Sequence, residues 1–275
     1  NGMDPMVTQP DTSAREGFSA VSPKFGLSYA IAENGRLFGN YTRGFRTGGL
    51  TGLGADPSQP PLYSYKPEYS NNLEIGYRQE LLDRKLRFGL TLFYSELTDA
   101  QVPTLVLPEA ITITRNTGKL LSRGIELELA AKPVKGLELN YSFGTTRARY
   151  SALKVSSDGS ELDLSGKRQI FTPTITSMLA AQYQRLLLEK LGVGLLVRGE
   201  WLYLGEQYFD LANNIRQSPY QTLNAKAGFY SRRCELYFWT RNLTNRHYIN
   251  YAYDFGAVHI APPATFGVTY RYNLF

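Results

Sequence analysis

The sequence predicts an all-β fold, an antiparallel transmembrane β-barrel of about eleven strands, on three observations. Apolar and polar residues alternate along many segments, which sends them to opposite faces of a strand. Several segments exceed the ~5–6 residues of a typical globular strand and reach the ~9–11 that a tilted membrane strand needs. Short and long connections also alternate strictly between the segments, which is typical of membrane barrels.

The last strand shows the alternation most clearly, because residues 264–275 read ATFGVTYRYNLF. One face carries only apolar and aromatic side chains: Phe266, Val268, Tyr270, Tyr272 and Leu274. The other face carries polar or small residues: Thr265, Gly267, Thr269, Arg271 and Asn273. A strand with lipid on one side and a polar lumen on the other needs this division.

The earlier strands follow the same rule in chain order. They are predicted at residues 24–31, 36–47, 72–78, 86–95, in a long segment that ends at 131, from 137 onward, at 170–185, 192–209 and 223–229, and in a segment that runs past Asn242. Short turns are predicted near 33–35, 82–85, 133–136, 186–191 and 231–233, and long loops near 48–66, 105–110, 152–167, 210–218 and 253–263. Residues 1–21 are predicted as an irregular loop segment, and residues 22–275 as the barrel.

Ionisable residues alternate with the apolar residues along the strands. They are expected to face the lumen as structural charges. They are Glu74, Arg78, Glu126, Glu128, Arg198, Glu200 and Lys226. A soluble β-sandwich or propeller is the alternative. It explains the alternation but not the asymmetry of the connections, and a propeller would show an internal repeat.

Composition excludes several other classes. No run approaches the ~20 apolar residues of a membrane helix. The net charge is +6, but the Lys and Arg residues are scattered, so no nucleic-acid partner is predicted.

One cysteine, Cys234, and two histidines, His247 and His259, favour neither a disulfide nor a metal site. The glycine-rich run at 48–54 lacks the Lys-Ser/Thr ending of a phosphate loop, and no catalytic arrangement stands out. No enzyme activity and no cofactor are predicted.

Several stretches, taken in order, resemble the TonB-dependent outer-membrane receptors, and most closely their ferric-siderophore branch. These stretches are SPKFGLSY (22–29), YTRGFRTGG (41–49), YKPEYSNNLEIGY (65–77), NTGKLLSRGIELE (116–128) and RNLTNRHY (241–248). In the last of them, Asn242 is expected to shape a strand end, because Asn side chains bond local backbone.

The resemblance implies a 22-stranded barrel of the outer membrane of a Gram-negative bacterium, closed around a plug. About eleven strands would then form its C-terminal half, with the plug absent from this sequence and supplied with the N-terminal half of the same receptor. The implied function is binding and energised import of a ferric siderophore or similar iron chelate, coupled to the TonB complex through the plug. A passive porin or structural barrel remains an alternative, as does a receptor for cobalamin, haem or a glycan.

Two groups of residues near the loop ends are predicted to contact ligands. Arg forks and Tyr rings suit anionic or catechol-rich iron chelates. The predicted chelate contacts are Arg43, Arg46, Tyr63, Tyr65, Arg115, Gln207, Tyr208, Arg216 and Tyr253. Arg147 and Arg149 share the parity of lipid-facing residues at the loop end of their strand, so they are predicted to meet lipopolysaccharide phosphates.

Overall fold

The computed structural model describes residues 15–50, 64–106, 111–116, 118–157, 160–253 and 256–273. In these residues the chain forms twenty strands and one short 3-10 helix at Glu189–Leu191. The strands are β1 (Lys24–Ala32), β2 (Gly35–Arg46), β3 (Gly49–Leu50), β4 (Ser64–Tyr65), β5 (Glu68–Leu81), β6 (Leu86–Thr98), β7 (Gln101–Val106), β8 (Ile111–Asn116), β9 (Gly118–Ala131), β10 (Leu137–Ser157), β11 (Ser160–Asp163), β12 (Ile175–Leu188), β13 (Val193–Leu204), β14 (Gln207–Tyr208), β15 (Arg216–Gln217), β16 (Tyr220–Tyr230), β17 (Cys234–Arg241), β18 (Ile249–Ala252), β19 (Val258–Ile260) and β20 (Thr265–Tyr272). Across these ranges, no helix is long and apolar enough to span a membrane.

Eleven long strands form one antiparallel sheet in which each strand pairs with the next along the chain. Their order is β1-β2-β5-β6-β9-β10-β12-β13-β16-β17-β20. The predicted all-β fold and the predicted strand number are therefore confirmed. Within the described ranges, β1 and β20 each have a neighbour on one side only, so the sheet has two open edges.

The register gives the sheet one apolar face and one polar face. Directly paired residues share a face. Ile75 lies opposite Leu92, and Leu92 lies opposite Ile125. These three side chains are 50%, 49% and 41% exposed, so no protein covers them. On the other face Thr91 lies between Gly76 and Glu126. Exposed apolar rows of this extent mark a surface that meets lipid.

The short turns all lie at one end of the sheet, at the five places where they were predicted. The first is a two-residue turn, since Ala32 pairs with Gly35. Before β10, Gly136 has a φ of +85°, and a Cβ there would lie 2.2 Å from the carbonyl oxygen of Gln184. Only glycine meets both conditions without strain.

Several predicted boundaries were wrong, most of them at the opposite end. The strand predicted at 192–209 ends at Leu204. The strand predicted at 170–185 begins at Ile175 and continues to Leu188. Phe171 has a φ of 54°, which is not an extended conformation, so the strand begins only after it. The loop predicted at 152–167 is largely a hairpin, because β10 continues to Ser157 and pairs with β11.

The polar face is concave. One cavity of about 690 Å³ touches both Ala30 of β1 and Met178 of β12, which lie six positions apart in the strand order. Its lining includes Arg36, Arg78 and Glu128. The sheet therefore curls around its polar side, as the wall of a barrel does.

Candidate functional site

The five long connections gather at one end of the sheet, and each contains a short antiparallel strand pair. The pairs are β3–β4, β7–β8, β10–β11, β14–β15 and β18–β19. Loops held on a rigid scaffold are where binding residues concentrate. This end, called the mouth from here on, is therefore the candidate functional site.

Two side chains tie the first two connections together at their base. The amide nitrogen of Gln101 donates to the carbonyl oxygens of Thr47 (2.8 Å) and Lys66 (3.1 Å), and its backbone N–H donates to the Glu68 carboxylate (2.6 Å). Asn116 accepts from the N–H of Lys66 (2.7 Å) and donates to its carbonyl oxygen (2.9 Å). Gln101 is buried, so its own hydrogen bonds are shielded from water.

An ion network joins the third and fourth connections. Arg168 donates to the Glu206 carboxylate at 2.7 Å, and Arg216 reaches the other oxygen of that carboxylate at 3.0 Å. The Arg168 guanidinium also lies 5.4 Å from the centre of the Tyr208 ring. Asn213 accepts from the backbone N–H of Arg168 (2.7 Å) and donates to its carbonyl oxygen (3.1 Å). One carboxylate thus holds two arginines from different loops.

Aromatic stacking links the fifth connection to this network. The ring of Phe171 lies 5.2 Å from Tyr251 in a stacked pair and 5.5 Å from Phe209. Tyr220 stacks on Tyr248 at 3.9 Å. Such pairs contribute about 0.5–1.5 kcal/mol each beyond the area they bury. Phe171 itself has a φ of 54°, which is uncommon for a residue other than glycine.

An apolar cluster fills part of the mouth on the lumen side. Its buried members are Leu120, Tyr150, Leu153, Val155 and Leu164, with Leu97, Leu211 and Ala212 packed against them. A bulge in β10 between Tyr150 and Ala152 changes the phase of the strand, which lets Leu153 continue the inward row of Tyr150. The β14–β15 connection reaches inward through Leu211, so the cluster narrows the opening.

The polar motif at Asn242 shapes a strand end. Asn242 has a φ of 50°, donates to the carbonyl oxygens of Arg246 (2.9 Å) and Pro262 (3.2 Å), and accepts from the Arg246 N–H (2.8 Å). Asn tolerates this left-handed conformation better than most residues. The motif therefore closes the turn after β17 and anchors the segment before β20.

The predicted chelate contacts are spread over the mouth. Tyr208 and Arg216 lie opposite each other in β14–β15, and Arg46 lies at the end of β2 opposite Glu68. Gln207 is buried opposite Gln217. Tyr65 pairs with Gly49, and Arg115 pairs with Val102. The Tyr253 ring meets the Tyr251 ring edge-on, with 4.7 Å between the ring centres. Arg43 differs from the other predicted contacts, because it lies on the lipid-facing side of β2. Its guanidinium lies 4.9 Å from the centre of the Tyr69 ring. Tyr63 lies outside the described residues.

Sequence reasoning missed the residues that hold the mouth together. Gln101 and Asn116 stand at the first and last positions of the β7–β8 hairpin, where a polar side chain can satisfy unpaired backbone groups. Their position at strand ends was the available signal. The contacts by which Arg168, Glu206 and Asn213 join the loops carry no local signal, since they connect residues between ten and 45 positions apart.

The seven ionisable residues assigned to the lumen all lie on the concave polar face. Two interactions show how they are held. Arg198 pairs with Glu200 at 2.7 Å, and the ammonium group of Lys226 lies 3.7 Å from the centre of the Tyr237 ring. The other members are Glu74, Arg78, Glu126 and Glu128. Within the parts of the chain that the structure describes, no three His, Cys, Asp or Glu side chains group as metal ligands would.

Comparison with known proteins gives the family. Residues 3–243 match the model of the TonB dependent receptor-like β-barrel. The pesticin receptor of Yersinia pestis is 26% identical over 270 residues, which are 93% of this chain and 36% of the receptor.

Solved structures give the same fold. The ferric yersiniabactin uptake receptor FyuA of Yersinia pestis superposes with a TM-score of 0.76 at 22% identity, over 92% of this chain and 37% of that one. The ferric preacinetobactin receptor BauA of Acinetobacter baumannii gives 0.68 at 18% identity, over 91% and 36%. The chain thus spans about a third of the length of these relatives. It belongs to the TonB-dependent receptor β-barrel family, whose place is the outer membrane of Gram-negative bacteria.

Proposed function

We propose that residues 22–275 form the C-terminal half of a 22-stranded plugged barrel, completed by the N-terminal half of the same receptor. Closed bacterial barrels have an even number of strands, whereas the described sheet has eleven in its path and two open edges. Long exposed edges are prone to wrong pairing, so β1 and β20 need partners. The plug would come with the N-terminal half and occupy the polar concavity.

The complete receptor would bind a ferric siderophore or similar iron chelate at the mouth and import it with energy from the TonB complex. The observation that carries this function is the mouth itself, where side chains tie the loop hairpins into a shaped surface above a charged lumen. A passive pore needs no such surface. The relatives named above are receptors, and we assign this chain no catalytic role.

The chelate would be held by arginine forks and tyrosine rings around the opening. Arg46 is the clearest candidate, because it is exposed, lies on the lumen side, and ends β2 beside the Gln101 tie. Tyr65, Arg115, Gln207, Tyr208, Arg216 and Tyr253 lie at the same end, and Tyr63 completes the proposed set. Arg43 was predicted as a contact but is left out, because it lies on the lipid-facing side of β2. An anionic chelate would then meet several charge-assisted donors at once.

Uptake by the full-length receptor tests this function. Cells with the receptor as their sole outer-membrane iron route receive radiolabelled iron on a panel of siderophores, with haem, labelled cobalamin and a glycan as further candidates. We expect saturable uptake of one chelate class that stops when TonB is deleted. Uptake that rises linearly with concentration and persists without TonB would instead indicate a passive pore.

A matched pair of variants tests the proposed contact. Arg46→Gln should raise the KM for uptake, while Arg233→Gln removes the same charge from an exposed position in a short turn at the other end. Equal KM values for the two variants and the wild type would count against Arg46 as a contact. Equal amounts of folded receptor in the membrane are the control for both.

A further inference from the structure

The outward face of the sheet carries a compact basic group at its loop end, called the rim cluster from here on: Arg123, Arg147 and Arg149. Sequence reasoning found the last two. The structure adds Arg123, because the register places it directly opposite Arg147 on the neighbouring strand. All three side chains are exposed.

The rim cluster lies just above the apolar band. Arg123 is two residues from Ile125 on the same strand and the same face, a separation of about 6.6–6.8 Å along the strand. On its other side Arg123 lies opposite Tyr94. Tyrosine at this level marks the boundary between hydrocarbon and headgroups. The guanidinium groups are therefore at the depth of lipid headgroups, on the side of the long loops.

No ion pair among the described residues balances the charges of the rim cluster. Like charges directly opposite on neighbouring strands destabilise a sheet. Among the described residues no carboxylate lies within ion-pair distance of Arg123 or Arg147, and Glu96 stands only diagonally from Arg123, opposite Leu121. Arg149 donates to the carbonyl oxygen of Gly166 at 2.7 Å, which is a neutral acceptor.

We propose that the rim cluster binds the phosphate groups of lipopolysaccharide. Guanidinium groups bind phosphate with two parallel hydrogen bonds, and adjacent arginines suit a lipid that carries more than one phosphate. The long loops of an outer-membrane barrel lie outside the cell, so the cluster faces the outer leaflet, where this lipid is found. Bound phosphate would also relieve the repulsion between Arg123 and Arg147.

The chain offers a matched control. Arg185 is exposed on the same lipid-facing side, opposite Leu195, but near the short turn at the other end of the sheet. Its replacement removes one charge from the same face without touching the proposed site. Because Arg149 also supports the β10–β11 hairpin, the test variant is Arg123→Gln with Arg147→Gln, which leaves Arg149 in place.

Binding is measured with the purified full-length receptor in nanodiscs. The probes are lipid A with both phosphates, the same lipid after phosphatase treatment, and phosphatidylglycerol. At about 1 kcal/mol per charge near an anionic surface, loss of two arginines should weaken lipid A binding by roughly 30-fold. Arg185→Gln should bind as the wild type does. A double Arg→Lys variant should keep part of the affinity, and high salt should weaken all binding.

Three results would overturn the proposal. One is equal lipid A affinity for the double Gln variant and the wild type. Another is an equal loss in Arg185→Gln. The last is equal wild-type affinity for phosphatidylglycerol and for lipid A, which would show a general response to anionic headgroups. The heat-dependent gel shift of a folded barrel confirms that each variant is assembled.

Discussion

Replacing Leu92 by arginine tests the assignment of the two sheet faces. Leu92 is the seventh of the 13 residues of β6 and lies in the row just below the rim cluster, because Ile125 opposite it is two residues from Arg123. Its neighbours across the strands are Ile75 and Ile125, both exposed and apolar. A charge placed there has no water and no acidic side chain in the same row to meet.

The cost follows from two contributions. Arginine on the lipid face costs about 2–4 kcal/mol at the bilayer midplane and about 0–1 kcal/mol near the interface, so about 1–2 kcal/mol is expected at the intermediate depth of Leu92. The wild-type Leu92 is 49% exposed in the protein, so lipid covers roughly half of a side chain whose full burial contributes ~1.5–3 kcal/mol. Loss of that part adds about 1 kcal/mol. We expect Leu92→Arg to destabilise the folded receptor by about 2–3 kcal/mol.

The adjacent residue supplies the control. Thr91 faces the lumen, lies opposite Glu126, and lines a cavity of about 170 Å³ together with Glu74. An arginine at 91 has room and a carboxylate beside it, so Thr91→Arg should stay within about 1 kcal/mol of the wild type. The two variants add the same side chain one residue apart.

The assay is urea-dependent folding of the full-length receptor into lipid vesicles, followed by the gel shift of the folded barrel. Leu92→Arg should move the midpoint to much lower urea, and Thr91→Arg should leave it nearly in place. If both variants lose equal stability, or Thr91→Arg is the worse one, the faces have been assigned the wrong way round and the barrel interpretation fails.

Three further changes have expected outcomes. Gly228→Ala places a Cβ 2.0 Å from the carbonyl oxygen of Leu236 and should cost about 1–3 kcal/mol in the same urea assay, whereas Gly199→Ala meets nothing within 4 Å and should be neutral. Gln101→Leu removes the side-chain donor to the Thr47 carbonyl oxygen and one of the two donors to that of Lys66. Local stability at the base of the first two connections should fall by about 1 kcal/mol, and backbone hydrogen exchange there should become faster. Glu206→Gln weakens the tie to Arg168 by about 1 kcal/mol, so trypsin should cut after that arginine faster, and high salt should narrow the difference from the wild type.

The alternation of apolar and polar residues predicted the wall of the barrel, because each strand has lipid on one face and the polar lumen on the other. Ile125 and Leu127 face lipid, and Glu126 and Glu128 face the lumen. The face of each residue can be assigned from its immediate neighbours in the sequence. A shift of one residue would move every charge into lipid, so the register is strongly determined. For the same reason the short turns were found where expected.

The mouth was not predictable in the same way, because its geometry depends on bonds between distant residues. Gln101 donates to Thr47, 54 residues earlier, and Arg168 reaches Glu206, 38 residues later. The bulge after Tyr150 extends β10 beyond its expected end, since Leu153 has an apolar cluster to join. Alternation alone contains no information about which loop a given polar side chain will contact.

The ties divide the mouth into two bodies. Gln101 and Asn116 hold the β3–β4 and β7–β8 hairpins together, and the Glu206 network with Phe171 holds the three later ones. The apolar cluster joins the two, since Leu97 and Leu120 belong to the strands that flank the β7–β8 hairpin while Leu211 belongs to the β14–β15 connection. Arg46 lies on the first body and Tyr208 on the second. A chelate held by both would reach across this cluster, so its size, and not only its charge, would decide whether both bodies can contact it.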